Sequence, residues 1–454
     1  MVETAARPPA EQTVTPAAEL PEGFKLTEIG PLPEEWRLVT LRDTASRAFG
    51  GGTPSTKRPE FWDGVIPWTT SAVIGEDDIR LLRFQRCISE EALRQSATRI
   101  APKGSLLIGT RVGVGKAVAT TFDVAINQDL TALVVSNDVC AEYLALALKE
   151  PRIQRWFGNT KRGTTIKGVP RADVLNLSVP LPPLNEQRAI ARVLSTIQRA
   201  IEATDRVIAA ARQLKRSLMR HLFTYGPVPL ADAERIPLKE TEIGPVPGHW
   251  DVVRLGDRCG KPQYGYTETA TANPVGPKFL RITDIQENGV EWAAVPHCRC
   301  AQPELAKYVL ESGDILIARI GATTGKSYLT RELQMPAVFA SYLIRVRTRP
   351  ELDAEYLYYF LNSEAYWAQV NAYKEDKLKK GISGSALADL RLPFAPLEEQ
   401  RYVARALRRV DRKIETEEKR RAALKELFRT MLHLLMTGQV RVKPEAGGLS
   451  NAGS

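Results

Sequence analysis

The chain has 454 residues, of which 43% are hydrophobic, ample for folded cores and too many for wholesale disorder. No run of about 18 apolar residues occurs, which excludes a membrane-spanning helix. A net charge of +10 is compatible with a polyanionic partner without demanding one.

Residues 1–24 hold Glu3, Arg7 and Glu11 among Pro and Ala, with no apolar stretch, and are expected to be a disordered tail rather than a signal peptide. Residues 25–182 are rich in Gly, Pro, aromatics and β-branched residues. Apolar runs at 105–108 and 133–135 predict strands, and 142–149 predicts a helix. From 183 to 226 the pattern is helical without interruption, until Gly226 stops it. A linker at 227–238 leads to a second globule at 239–395, with strands expected at 314–317 and 342–346 and a helix at 355–362. A second long helix at 396–438 ends on Gly438, and 439–454 reads as another tail. Short strands mixed with a few helices place both globules in the α+β class.

The chain repeats itself at a distance of about 213 residues. Thr-Glu-Ile-Gly-Pro-Leu-Pro at 27–33 returns as Thr-Glu-Ile-Gly-Pro-Val-Pro at 241–247, each followed by a Trp, Trp36 and Trp250. Pro-Leu-Asn-Glu-Gln-Arg at 183–188 returns as Pro-Leu-Glu-Glu-Gln-Arg at 396–401. The period is too long for a stacked solenoid and implies two similar modules.

Both long helices carry a heptad. One seam position of the first is filled by Ile190, Ile197, Thr204, Ala211 and Leu218, the other by Leu194, Ile201, Ile208, Lys215 and Leu222. The second helix supplies Val403, Val410, Glu417, Leu424 and Met431, then Leu407, Ile414, Arg421, Phe428 and Leu435. Such spacing predicts a coiled coil, closed on itself if the two helices pair antiparallel with a globule at each end. Glu417 and Arg421 interrupt the second stripe. They either fix register within the seam or lie at an exposed edge, and the edge is the expectation.

Several motifs that would carry chemistry fail on inspection. Gly113-Val114-Gly115-Lys116 and Gly321 to Ser327 resemble a phosphate-binding loop, but Thr110 and Ile320 stand where its first Gly belongs. Asp314 after a strand suggests a nuclease, yet Arg345-Val346-Arg347 occupies the place of the required Glu-x-Lys. The histidines are scattered. His297-Cys298-Arg299-Cys300 with Cys259 is a poor match to zinc spacing, so no metal and no cofactor are expected. Together with Cys87 and Cys140 these cysteines form no even framework and point to a reducing, cytoplasmic setting.

What recurs instead is a set of Gly- and Thr-rich loops carrying basic residues, at matching places in both repeats. The first half offers Arg47, Thr53, Lys57 and Arg58, then Arg111 and Lys116, then Lys161, Arg162 and Lys167. The second offers Lys261, Tyr264 and Tyr266, then Arg281, then Arg319 and Lys326, then Lys377, Lys379 and Lys380. Lys and Arg neutralise phosphates, while Thr and Tyr reach base edges, so these are the candidate DNA-binding residues.

Read together, the residues resemble the specificity subunit of a type I DNA restriction–modification system. The likeness runs over nearly the whole chain in order: Ile-Gly-x-x-Pro-x-x-Trp at 29–36 and 243–250, Gly-Gly-Thr-Pro at 51–54, Ile-Pro-Trp at 66–68, Ile-Asn-Gln-Asp at 126–129, Gly-Asp-Ile-Leu-Ile at 313–317, and Pro-Pro-Leu-x-Glu-Gln at 182–187. The second half departs where Lys261-Pro262-Gln263-Tyr264-Gly265 replaces the Gly-Gly-Thr-Pro loop. The resemblance implies two target recognition domains that each read half of a split, asymmetric DNA site. It further implies that the paired helices act as a ruler docking two methyltransferase subunits and the restriction subunit, which supply all catalysis. Helices of about 60 Å set half-sites about one to one and a half DNA turns apart. The alternatives are a nucleotide-binding hydrolase using the Gly-Lys loops, or a coiled-coil scaffold without DNA specificity.

Overall fold

The structure, a computed structural model, describes residues 20–162, 168–286, 289–375 and 381–442. Most of both expected tails, and the candidates Lys167, Lys377, Lys379 and Lys380, lie outside the described residues. The fold forms two compact units, Met1–Ala203 with Ala422–Ser454, and Thr204–Arg421.

In the first unit a five-stranded sheet runs in the order Ala45–Gly50, Leu130–Val135, Leu106–Gly109, Ala117–Thr120, Arg80–Leu81. Its central strand Leu106–Gly109 is buried along its whole length, which is why it reads as an unbroken apolar run rather than an alternation. A four-stranded sheet follows the order Arg86–Ile88, Ile66–Thr69, Val124–Ile126, Arg99–Ala101, with its middle pair parallel. Strands Arg37–Thr40 and Ser178–Leu181 pair antiparallel and bring the chain's entry beside its exit into the first long helix.

The second unit rebuilds this frame. Gln263–Tyr264, Leu343–Val346, Ile315–Ala318 and Ser327–Leu329 form its four-stranded sheet. Lys278–Leu280 runs parallel to Ala337–Phe339, as Ile66–Thr69 does to Val124–Ile126. Asp251–Arg254 pairs with Arg391–Phe394 ahead of the second long helix. The helices expected near 142 and 355 span Ala141–Ala147 and Ala354–Phe360.

The long helices are Leu184–Tyr225 and Leu397–Met436. Gly226 (φ 78°) and Gly438 (φ 71°) adopt the left-handed conformation just past their ends, which a side chain would resist. Each unit takes about half of each helix. In the first, Ile190 and Leu194 share a core with Leu432 and Leu435, and Phe428 packs against it. In the second, Leu222 and Phe223 share a core with Val403 and Leu407.

Within the second unit Asp205 pairs with Arg421 (3.1 Å), Arg212 with Glu418 (2.7 Å) and Lys215 with Asp411 (2.6 Å). Numbers rise along one helix as they fall along the other, so the pairing is antiparallel. The seam residues Ile208, Leu407 and Ile414 are buried, and Ile197, Leu218, Val410 and Leu424 are half-buried.

Glu417 corrects the reading of the seam. It is 5% exposed rather than at an open edge, and its carboxylate accepts from Lys413 at 2.5 Å with Arg420 3.7 Å away. A lysine one turn before it and an arginine one turn after can reach over the helix surface to meet a buried carboxylate, which a heptad count does not register.

Candidate nucleic-acid interface

The repeated sequence motifs build the frame on which the candidate loops are mounted. Trp36 is fully buried and its indole N–H donates to Glu186 at 3.1 Å; Trp250 does the same to Glu399 at 2.8 Å. The buried Gln187 amide accepts from Cys140 N (2.8 Å) and donates to the carbonyls of Pro182 (2.8 Å) and Asp138 (3.1 Å). Gln400 repeats the set with Asp353 N, Ala395 O and Glu351 O. The Tyr143 and Tyr356 hydroxyls each donate to a proline carbonyl at 2.9 Å, Pro180 and Pro393, and burial raises both pKa values well above the usual phenol value. Pro-Leu-x-Glu-Gln-Arg therefore joins each long helix to its globule. In the first unit Arg441 adds bonds to Glu186 (2.6 Å) and Glu35 (2.7 Å), so the chain beyond the second helix is tied down at this point.

The Gly-Lys loops are hairpin turns. Gly115 (φ 89°) and Gly325 (φ 93°) are left-handed, and a Cβ on either would meet an aromatic ring, Phe157 or Trp367, at 3.1 Å. Lys116 Nζ donates to the Ile74 carbonyl at 2.7 Å, and Lys326 Nζ to the Ile285 carbonyl at 2.9 Å. Both ammonium groups tie one loop to another. Lys326→Ala is expected to cost about 1 kcal/mol of stability while leaving the salt dependence of DNA binding unchanged. A thermal melt paired with a salt titration checks both.

Two other candidate cations are also engaged. Arg58 bonds Glu60 and Gln95, each at 2.6 Å, with its guanidinium 4.0 Å from the Phe61 ring centroid. Arg281 forms a forked pair with Asp284 at 3.0 and 2.8 Å, which raises its pKa. Tyr266 is half-buried against Tyr308, and Thr53 donates to Gln128 at 2.7 Å. Arg47, Lys57, Arg111, Lys161, Arg162 and Lys261 are exposed. Arg47 and Phe49 face Arg99 and Ile100 across a groove of about 490 Å³, lying on edge strands of two different sheets. Sequence reasoning missed Arg99, because only folding places it beside Arg47. Arg319 lies 4.7 Å from the ring centroid of the exposed Tyr264.

Asp314 is 2% exposed and held between Arg345 (3.1 Å) and Arg347 (2.6 Å). A carboxylate neutralised by two guanidiniums is unsuited to hold a catalytic cation. Among the described residues no group of three or more His, Cys, Asp and Glu is gathered as metal ligands would be. Nor, among them, is any helix long and apolar enough to cross a membrane.

The type I restriction modification DNA specificity domain matches this sequence twice, over residues 33–211 and 247–426. The chain belongs to that family. It is a specificity subunit, the DNA-recognition component of a type I restriction–modification system. It is 26% identical to the type I restriction enzyme MjaVIII specificity subunit of Methanocaldococcus jannaschii, across 93% of this chain and 97% of that one. It is 22% identical to the EcoKI specificity subunit of Escherichia coli, across 86% and 85%. The crystal structure of a type I S subunit from M. genitalium shares the fold with a TM-score of 0.59 at 15% identity, covering 88% of this chain and 96% of that one. Each specificity domain ends within a long helix, in keeping with units that include helix segments.

Proposed function

We propose that the specificity subunit reads a bipartite, asymmetric DNA target, one unit to each half, and that its paired helices set the spacing between the halves. The observation that carries this reading is a single frame built twice with different loop surfaces. Trp36, Glu186, Gln187 and Tyr143 recur as Trp250, Glu399, Gln400 and Tyr356 with the same bonds, while the Gly-Gly-Thr-Pro loop gives way to Lys261-Pro262-Gln263-Tyr264-Gly265. Identical mounts with unlike tips suit two readers of unlike sequences. Arg47, Lys57, Arg111, Lys161, Arg162 and Lys261 serve as phosphate contacts, with Lys167, Lys377, Lys379 and Lys380 as further candidates.

In this reading two methyltransferase subunits dock on the helix pair and methylate adenine N6 from S-adenosylmethionine. Restriction subunits add ATP-dependent translocation and cleavage, all in the cytoplasm. The chain's own residues bind and orient DNA and perform no chemical step. Titration of the assembled complex against target and random duplexes at several salt concentrations tests this. A steep salt slope with preference for one sequence is expected, and replacing both Arg47 and Arg111 by Ala should lower the slope by about 2 across all sequences. No slope and no preference would leave only a scaffold.

A further inference from the structure

The two units end their edge strands alike but furnish that end differently. Gly51 crosses the end of a neighbouring strand so closely that a Cβ would lie 1.8 Å from the Ile126 carbonyl oxygen; a Cβ on Gly265 would lie 2.4 Å from that of Phe339. Gly52 N then donates to Ile126 O at 3.1 Å, and Tyr266 N to Phe339 O at 2.8 Å. The residues just before these glycines, Gly50 and Tyr264, are therefore counterparts.

Opposite them stand another matched pair, Arg171 and Gly384, each the first residue of a short helix, Arg171–Leu175 and Gly384–Asp389. The large and small members are exchanged. A Cβ on Gly50 would sit 2.1 Å from Arg171 Nη2, so the guanidinium occupies the space a side chain there would take. In the second unit that space holds the Tyr264 ring, whose hydroxyl accepts from Gly384 N at 2.9 Å.

The second unit regains a guanidinium from another element. Arg319, directly after strand Ile315–Ala318, lies 4.7 Å from the Tyr264 ring centroid. Its counterpart in the first unit is Thr110, since Arg319 N bonds Tyr342 O at 3.0 Å as Thr110 N bonds Asp129 O at 2.8 Å. Each unit thus holds one arginine against the same edge-strand position. Arg171 is exposed, and its side chain makes one hydrogen bond among the described residues, Nε to Thr131 Oγ1 at 3.4 Å. Arg319 makes no side-chain hydrogen bond among them, and its Nε is buried without a partner. The residues that accept the backbone bonds from Thr110 and Arg319 carry or adjoin exposed side chains: Gln128, which precedes Asp129, in one unit, and Tyr342 in the other.

We propose that Arg171 and Arg319 are matched base-reading residues, each selecting a guanine in its own half of the target. A guanidinium held in place with its fork unspent fits the adjacent O6 and N7 acceptors of guanine. Phosphates are alike in both halves, so a backbone contact would gain nothing from two different mounts. A differently aimed fork matters only for base edges. The inference rests on the reading of one unit per half-site.

The test selects bound duplexes from a randomised library with the assembled complex, comparing wild type with Arg171→Ala and Arg319→Ala. Arg171→Lys and Arg319→Lys keep charge and stem but lose the fork, and they guard against loss of folding. Each variant is expected to lose about tenfold or more discrimination at one guanine, in one half only, with the two arginines affecting opposite halves. Unchanged preferences would overturn the proposal. So would a uniform loss of affinity with a shallower salt slope, which marks a phosphate contact. A wild-type selection yielding one contiguous motif would instead overturn the bipartite reading beneath it.

Discussion

A Leu407→Asp, Ile414→Asp double substitution is expected to abolish cooperative folding of the second unit and assembly with the methyltransferase subunits. Leu407 is fully buried in a core with Leu222 and Phe223 of the first long helix, and Ile414 is 9% exposed between Asp411 and Glu418, which pair with Lys215 and Arg212 of that helix. A carboxylate at Leu407 would be buried among apolar side chains and one at Ile414 would lose most of its solvation, so each substitution should cost about 4 kcal/mol or more. Two such losses rival the whole stability of a typical domain, about 5–15 kcal/mol. Leu407→Met, which conserves volume, should cost less than about 1.5 kcal/mol and leave assembly intact. Thermal melting and co-purification check the pair of outcomes; wild-type behaviour from the double variant would show that the helices do not depend on this seam.

Gln400→Leu should destabilise the second unit by about 2–4 kcal/mol, and Gln187→Leu the first by a similar amount. Leucine fills the volume but leaves the Asp353 N–H and the carbonyls of Glu351 and Ala395 without their partner. A buried donor left unmet costs more than the bond itself contributed. The two changes fall in different units, so their effects should add, and chemical denaturation of the single and double variants measures this. If either variant matched wild type, the Pro-Leu-x-Glu-Gln-Arg repeat would need another explanation than joining helix to globule.

The frame was legible in the sequence because its determinants are local or periodic. A 4-3 stripe held over five heptads announces a helix pair, and Gly226 and Gly438 mark where it stops. The duplicated Trp and Glu-Gln pairs signalled shared architecture, although only the structure shows that they bond to one another. The interface was less legible, because a cation's partner is decided by tertiary contacts far away in sequence. Lys116 and Lys326 read as free loop lysines, yet their partners Ile74 and Ile285 lie about 40 residues off. Backbone carbonyls have no sequence signature. Glu417 looked like a seam defect because its neutralising lysine and arginine lie on its own helix. Arg171 drew no notice because its meaning depends on Gly50 beneath it, and a glycine opposite an arginine becomes visible only when the two repeats are laid over each other.

The most direct test of two unlike readers on one frame is to map methylated adenines in cells carrying this subunit with its methyltransferase. Two different short specific sequences separated by a fixed stretch of unspecified bases are expected, with one methylated adenine on each strand. A single contiguous motif, or two identical half-sites in inverted orientation, would contradict it.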